Sequence, residues 1–301
     1  MPKALVVIPL FNEEKLLWHA LERLFWEEMP SDFELDCLIV DDGSTDRSRD
    51  IYLSHPAFKV GKLFILHHKR QMGYGKTLID GFQYALESER QYDLVTTYDA
   101  DLQHCPTTIS TMLDIIKKRP SIDVLSGSRY LSESMMGDTS AVLFDRYLVN
   151  MLISQLLNNL TDLNLTDSFC GLKTYTRSTL ERIQLEDPGY AMPLEFWMKA
   201  YHLGLIVEEV PTPLVYLLDR RPRKDWKDRL QEYMDVILRY CECDEERQQF
   251  VEVMHTYNLG LIGQAIRGEL SFPITPYEGF GDNLIRAMQG ESHMLTDGSP
   301  V

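Results

Sequence analysis

Two aspartates, Asp99 and Asp101, stand one residue apart directly after an apolar, β-branched run at 94–98 that has the character of a buried strand. In an open α/β sheet, ligands bind at the carboxyl ends of the strands. Two carboxylates emerging there repel each other unless a cation lies between them, and oxygen ligands suit Mg²⁺ or Mn²⁺. With the amide oxygen of Gln103, the sequence predicts a metal site on Asp99, Asp101 and Gln103. An ordinary solvated turn is the alternative, because Asp is common in turns.

Further carboxylates follow two neighbouring strands of the predicted sheet. Glu13 lies after the first strand, 4–8, and Asp41 and Asp42 follow the second, 35–40. Carboxylates at strand ends can accept hydrogen bonds from a base or a ribose. Stability alone gives no reason to gather so many acids at one edge, since they repel each other. A site for a nucleoside diphosphate with a divalent metal resolves that repulsion.

The elements that must position these acids alternate between strands and helices. Strands are predicted at 4–8, 35–40, 62–67, 94–98 and 122–126, separated by helical patterns. This alternation predicts an α/β fold with a mostly parallel sheet and helices on both faces. After residue 129 we predict a long helix over 139–160, a loop over 167–173, helices from 178 and over 193–203, a strand at 206–210 and a helix over 225–239.

Composition narrows the classes of partner and compartment. The 301 residues include 30 Lys and Arg against 46 Asp and Glu, a net charge of −16, which argues against a nucleic-acid partner bound through a broad basic surface. The five cysteines lack framework spacing and predict free thiols in a reducing cytoplasm. Without a signal pattern or a transmembrane segment, we expect a cytoplasmic protein that is soluble or peripheral at the inner face of a membrane.

Two common nucleotide-binding motifs are absent from the sequence. Gly75-Lys-Thr77 resembles the end of a P-loop, but the required first glycine falls at Arg70. A dinucleotide fingerprint would follow the first strand, where Pro9-Leu-Phe-Asn-Glu13 stands instead. The acids at the strand ends therefore need a different explanation.

Six short motifs occur in order: Pro9-Leu-Phe-Asn-Glu13, Val40-Asp-Asp-Gly-Ser-Thr-Asp46, Gly73-Tyr-Gly75, Asp99-Ala-Asp-Leu-Gln103, Gly127-Ser-Arg-Tyr130 and Asp167-Ser-Phe-Cys-Gly-Leu-Lys173. Together they resemble the inverting family 2 glycosyltransferases of GT-A fold. The fourth and fifth blocks are most similar to those of dolichol-phosphate mannose synthases and other polyprenyl-phosphate glycosyltransferases. The resemblance covers about residues 4–240, so we expect a GT-A domain over 1–240. The composition of 241–301 predicts a helical extension with a disordered tail.

The resemblance implies a metal-dependent enzyme that moves a sugar from a nucleotide-sugar, GDP-mannose or a UDP-sugar, to a polyprenyl or dolichyl phosphate or a similar acceptor. The catalytic residues would be Asp99, Asp101 and Arg129, with Mn²⁺ or Mg²⁺ on Asp99, Asp101 and Gln103. The residues that it implies for the donor nucleotide are Pro9, Phe11, Glu13, Asp41, Asp42, Gly73 and Ala100.

The acceptor stays open between a lipid phosphate and a hydroxyl. A lipid phosphate needs mainly alignment by arginine, and the candidates are Arg146, Arg220, Arg221 and Arg223. A hydroxyl on a soluble acceptor needs a general base, for which Asp167 and Glu195 are candidates. The basic run at 220–224 departs from the usual family pattern, and a solvated loop is its alternative. The apolar helix 139–160 either packs in the core or meets a bilayer.

A second functional hypothesis is a catalytically silent relative that serves as a binding or scaffold protein through residues 241–301. The two hypotheses differ in what they require of the strand-end acids. An enzyme needs them and a scaffold does not. The intact acidic motifs therefore favour the enzyme.

Overall fold

The computed structural model of the protein describes residues 1–26, 32–134, 144–213 and 226–253. The strands in these ranges are β1 (Lys3–Leu10), β2 (Glu34–Asp41), β3 (Leu63–His67), β4 (Leu94–Thr97), β5 (Val124–Ser128), β6 (Lys173–Thr176) and β7 (Val207–Pro211). The helices are α1 (Leu17–Trp26), α2 (Ser48–Ser54), α3 (Pro56–Lys59), α4 (Tyr74–Glu87), α5 (Pro106–Lys118), α6 (Phe144–Leu160), α7 (Arg177–Arg182), α8 (Met192–His202) and α9 (Trp226–Arg239). Residues 244–253 are also helical.

The described strands form one sheet in the order β3-β2-β1-β4-β6-β5-β7. The first four strands in this order, β3, β2, β1 and β4, are parallel to their neighbours, and β5 is parallel to β7. The carboxyl ends of β2, β1 and β4 therefore lie side by side at one edge. The predicted α/β fold with a mostly parallel sheet is confirmed.

Strand β6 is the one described strand that the sequence prediction missed. It runs antiparallel between β4 and β5, so the sheet is mixed. The strand has only four residues, two of them Thr, and is too short to show an apolar run or a clear alternation. Its position places the loop before it, 167–172, against the end of β4.

Apolar side chains on the two faces of the sheet enter two separate cores. On β1, Leu5 and Val7 pack with the layer that contains α4, α6, α8 and α9, whereas Val6 and Ile8 pack with the layer that contains α1 and α5. This alternation follows from the period of two in a strand. Helices therefore cover both faces, as predicted.

One face of helix α6 packs in the core. Its inward positions are buried and pack with α8 and α9: Val149, Ile153, Leu156, Leu157 and Leu160. Burial in the core was the first of the two alternatives for this helix. Across the part of the chain that the structure describes, no helix is both long enough and apolar enough to cross a membrane.

Candidate active site

The candidate site begins where β4 ends, in the turn that carries Asp99, Asp101 and Gln103. The backbone N–H of Gln103 donates to Oδ1 of Asp101 at 3.1 Å. Leu102, between them, has a φ of 62°, in the left-handed region. All three side chains are half-buried. The turn therefore brings three oxygen-bearing side chains to the carboxyl edge of the sheet within five residues.

The carboxylate of Asp99 is held from two sides. The hydroxyl of Tyr74 donates to Oδ1 at 3.4 Å, and Nε2 of His104 lies 3.2 Å from Oδ2. A Cβ on Gly171 would collide with this carboxylate, so the close approach requires glycine there. Burial raises the pKa of Asp99, but the hydrogen bond and charge of His104, the charge of Lys173 and the bond from Tyr74 outweigh it and hold the pKa below its ordinary value. Asp99 is therefore ionised at neutral pH, as a metal ligand must be.

The oxygen ligands at the end of β4 fit a divalent metal that is bound partly by the protein and partly by a substrate phosphate. Within the described ranges, no group of three or more Asp, Glu, His or Cys side chains is arranged to hold a metal ion. Mg²⁺ is commonly bound by one or two carboxylates while substrate phosphates supply further oxygens. Asp99, Asp101 and Gln103 match that case, in which the metal binds together with a diphosphate.

Asp41 and Asp42, at the end of β2, are braced by protein groups. Asp41 is fully buried, and its two oxygens accept the N–H of Ser44 at 2.8 Å and the hydroxyl of Tyr52 at 3.0 Å. Asp42 accepts the N–H groups of Met72 at 2.7 Å and Gly73 at 2.9 Å. Asp41 thus shapes the turn after β2, while Asp42 ties β2 to the loop that precedes α4.

The end of β1 lies between these two acidic turns. Pro9 is in register with Val40 of β2, and the N–H of Glu13 donates to Oγ of Ser48 at 2.9 Å. Pro9, Phe11 and Glu13 are half-buried beside the turn after β2. Ala100 is buried. The structure therefore brings the predicted donor-binding residues to one edge, on three adjacent strand ends and the start of α4.

Arg129, just after β5, forms a buried ion pair with Asp167. Its Nε lies 2.6 Å from Oδ2 and its Nη2 lies 2.9 Å from Oδ1, and Nδ2 of Asn150 donates to Oδ1 at 2.6 Å. Burial raises the pKa of Asp167, but the charge of Arg129 and the hydrogen bonds from Arg129 and Asn150 outweigh it, so the pKa is lowered. This arrangement orients the guanidinium of Arg129 and occupies both oxygens of Asp167.

Glu195, the other candidate base, is also fully buried and fully engaged. It lies in the first turn of α8 and accepts the N–H of Glu186 at 2.9 Å, the N–H of Asp187 at 2.7 Å and Nζ of Lys199 at 2.7 Å. These bonds hold the loop 186–190 in place. Glu195 therefore contacts that loop.

The loop 186–190 packs against the start of α4. The N–H of Lys76 donates to the carbonyl of Pro188 at 3.1 Å, and the ring of Tyr190 stacks on Tyr74 at 5.3 Å between centroids. A Cβ on Gly73, whose φ is 109°, would collide with the carbonyl of Pro188. The loop thereby positions Tyr74, whose hydroxyl contacts Asp99.

Comparison with known proteins now gives the family. Residues 5–184 match the model of glycosyl transferase family 2. The chain belongs to glycosyl transferase family 2. An undecaprenyl-phosphate mannosyltransferase of Micrococcus luteus is 30% identical over 216 residues, which cover 71% of this chain and 84% of that protein. A polyprenol monophosphomannose synthase of Mycolicibacterium smegmatis is 26% identical over 212 residues, covering 69% of this chain and 76% of that protein.

The fold of this family 2 glycosyltransferase is also that of solved relatives. Glucosyl-3-phosphoglycerate synthase from Mycobacterium tuberculosis, in complex with Mn²⁺ and UDP-glucose, superposes with a TM-score of 0.60 at 17% identity, over 80% of this chain and 79% of that one. This similarity concerns the fold alone. It confirms the GT-A type of sheet, and the family confirms that the protein is a glycosyltransferase related to polyprenyl-phosphate sugar transferases.

Four side chains of this glycosyltransferase contact the site or its walls without having a role in the sequence prediction: Tyr74, His104, Lys173 and His68. The first three lie in or next to the quoted motifs, so their place in the sequence could have indicated that they lie near the site. His68 lies outside every motif, and only its contacts reveal it. The side chain of Arg146 and residues Arg220, Arg221 and Arg223 lie outside the described part of the chain.

Proposed function

We propose that this family 2 glycosyltransferase moves a sugar from a nucleotide-sugar to a polyprenyl phosphate with the help of Mn²⁺ or Mg²⁺. One observation carries the proposal. The loop 167–172 contacts both halves of the candidate site, because Asp167 pairs with Arg129 and Gly171 lies against Asp99. The same loop would therefore connect a metal and diphosphate site at β4 with a guanidinium suited to a second phosphate.

The donor class is supported by the residues and by the names of the relatives. Glu13 after β1 would offer a carboxylate to a nucleoside, and the buried acids after β2 would form the wall beside it. Asp99 and Asp101 after β4 would hold a metal. The two relatives are named undecaprenyl-phosphate mannosyltransferase and polyprenol monophosphomannose synthase. The solved protein with a similar fold was crystallised with Mn²⁺ and UDP-glucose. GDP-mannose and UDP-sugars are therefore the donors to test first.

The chemistry of the step depends on charge. A divalent metal, when bound, neutralises the diphosphate that leaves the anomeric carbon. Asp99 and Asp101 would hold that metal, and Arg129 would align a phosphate through the guanidinium N–H groups that do not donate to Asp167. Asp167 keeps the plane of Arg129 fixed. This protein's own contribution is thus the alignment of two charged groups.

A phosphate acceptor fits the described residues better than a hydroxyl acceptor. A hydroxyl must lose a proton to a base, whereas a lipid phosphate is already negatively charged. Both candidate bases, Asp167 and Glu195, are fully buried with their oxygens in hydrogen bonds. This supports an acceptor that needs no base. Reaching a polyprenyl phosphate requires a visit to a membrane surface, which belongs to the proposal.

The test is a transfer assay with a short polyprenyl phosphate in detergent, with GDP-mannose, UDP-glucose and other donors, and with Mn²⁺ or a chelator. We expect a glycosyl lipid phosphate from one donor, only with the metal present. Transfer to a soluble hydroxyl acceptor that depends on Glu195 would replace the lipid proposal. No consumption of any donor and no binding of GDP or UDP would favour the scaffold hypothesis.

A further inference from the structure

His68, directly after β3, lies between two carboxylates. Its Nδ1 is 2.8 Å from Oδ1 of Asp42, and its Nε2 is 2.9 Å from Oδ2 of Asp80 on α4. The side chain is only 8% exposed. Its backbone N–H donates to the carbonyl of Asp41 at 2.8 Å, which fixes the start of the loop 68–73.

The charged groups around the ring come from three elements. β2 contributes Asp42, and α4 contributes Asp80 together with Lys76, whose Nζ lies 2.5 Å from Oδ1 of Asp80. The segment of His68 itself adds His67, Lys69 and Arg70, whose side chains are exposed. The ring therefore contacts the carboxylates of Asp42 and Asp80 directly. Lys76 binds the other oxygen of Asp80.

Only one protonation state satisfies both contacts. The imidazolium donates from both ring nitrogens, whereas each neutral tautomer donates from one and presents a lone pair from the other. A neutral ring would thus place a lone pair within 2.9 Å of a carboxylate, either the buried one of Asp42 or the half-buried one of Asp80. With both carboxylates ionised, the geometry therefore favours the imidazolium.

We propose that His68 is a positioning residue of the donor site and acts as an imidazolium that ties Asp42 to α4. The proposal depends on the proposed function, because it assumes that Asp42 and its loop form part of the nucleotide site. Asp42 is held by the N–H groups of Met72 and Gly73 and by this ring. Of these three donors, only the ring is ionisable, since the other two are backbone amides.

The backbone beyond His68 shows why this matters for a nucleotide. A Cβ on Gly43 would lie 2.9 Å from the carbonyl carbon of Arg70, so the loop packs directly on the turn after β2. Loss of the imidazolium would weaken the hold of Asp42 on that loop. The wall of the donor site would then be less well ordered, and nucleotide affinity would fall as pH rises.

The experiment is calorimetric titration of GDP and of UDP, each with Mg²⁺, into the full chain from about pH 6 to about pH 9.5. His68→Asn keeps a donor near Asp42 but does not titrate. Asp80→Asn removes the charge that favours the protonated ring. Two matched controls are His19→Asn, an exposed histidine on α1, and Asp114→Asn, which breaks an i,i+4 Lys–Asp pair of the same 2.5 Å length on α5.

We expect the Kd of His68→Asn to exceed that of the wild type about tenfold at the acid end and to approach it at the alkaline end. In Asp80→Asn the loss of affinity should begin at a lower pH, while both controls follow the wild type. The phosphates of the nucleotide titrate alike in every sample, so differences between the profiles belong to the protein.

Two results would overturn the inference, and they are distinguishable. If the wild type binds neither nucleotide at any pH, the proposed function fails and the inference fails with it. If the wild type binds and both variants share its affinity and its pH profile, only the role of His68 fails. Should His68→Asn not fold, Asp80→Asn decides, and an unchanged profile in that variant contradicts the proposal.

Discussion

The acids at the ends of β2 and β4 are similar in sequence and different in structure. Each set follows a buried parallel strand, yet the side chain of Asp42 is 4% exposed and that of Asp99 is 26% exposed. Asp42 is held at 2.7 to 2.9 Å, partly by backbone N–H groups. Asp99 is held at 3.2 to 3.4 Å by the tips of two side chains. The β2 acids thus build a wall, and the β4 acids face the site.

The largest effect should come from the β4 end. Asp101→Asn removes a charge from the proposed metal site and no core contact, so we expect sugar transfer to fall at least about a thousandfold while the fold is unchanged. A transfer assay and thermal unfolding measure the two outcomes. Asp114→Asn is the control for removal of a surface charge. A folded Asp101→Asn enzyme that keeps wild-type turnover and still requires metal would place the metal elsewhere.

The next effect concerns Asp167, which resembles the β2 acids in being buried and fully bonded. Asp167→Asn breaks the ion pair with Arg129, and we expect a loss of about 3 kcal/mol in the free energy of unfolding. Urea unfolding at neutral pH measures this loss. If Asp167 were a general base instead, the variant would lose kcat while its stability remained that of the wild type.

The same ion pair predicts an acid dependence of stability. The pKa of Asp167 is lowered in the folded protein, so its contribution is fully present above the ordinary value and is lost as pH falls through the folded value. The difference in stability between wild type and Asp167→Asn should therefore shrink below about pH 4. Urea unfolding at neutral and acid pH tests this, and a difference that grows toward acid pH would contradict it.

A smaller effect on the nucleotide is expected from Asp42. Asp42→Asn leaves at least one of the N–H groups of Met72 and Gly73 facing an amide N–H₂, so stability should fall by about 1 to 3 kcal/mol and the Kd for GDP or UDP should rise about tenfold. Calorimetry measures the Kd for the nucleotide, and urea unfolding measures the stability. If the affinity changed and the stability did not, Asp42 would face the nucleotide directly, and the contrast between the two acidic turns would be wrong.

The sequence predicted those parts of the molecule that depend on local pattern. Apolar runs separated by helical periods predicted the first four strands, and the acids at their ends followed from the topology of a parallel sheet. The ordered motifs predicted the family. Each of these signals lies within a few residues of the feature that it predicts.

What the sequence could not predict are contacts between distant segments. Asp42 and Gly73 are 31 residues apart, and Arg129 and Asp167 are 38 residues apart. No local pattern tells an acid that binds a ligand from an acid that braces a loop, because the difference lies in the partners. For the same reason the sequence alone could not show that the candidate bases Asp167 and Glu195 are buried with their oxygens in hydrogen bonds.

The smallest effect is expected from removing one tyrosine hydroxyl beside each of the two acidic turns, the turn after β4 and the turn after β2. Tyr74→Phe removes the hydroxyl that donates to Asp99 at 3.4 Å and keeps the ring stacked on Tyr190. Tyr52→Phe removes the hydroxyl that donates to Asp41 at 3.0 Å. Burial and the charge of Asp99 raise the pKa of Tyr74, so its hydroxyl remains a donor at neutral pH.

Because the bond to Asp99 is long, we expect Tyr74→Phe to raise the Kd for Mn²⁺ with GDP or UDP only about threefold and to leave stability nearly unchanged. Tyr52→Phe should lower the free energy of unfolding by about 1 kcal/mol and leave the metal affinity unchanged. Calorimetry with Mn²⁺ gives the metal affinity of each variant, and urea unfolding gives the free energy of unfolding of each. Metal affinity that responded equally to both hydroxyls would mean that the turn after β2 shares the metal site, and that the two acidic turns form one unit.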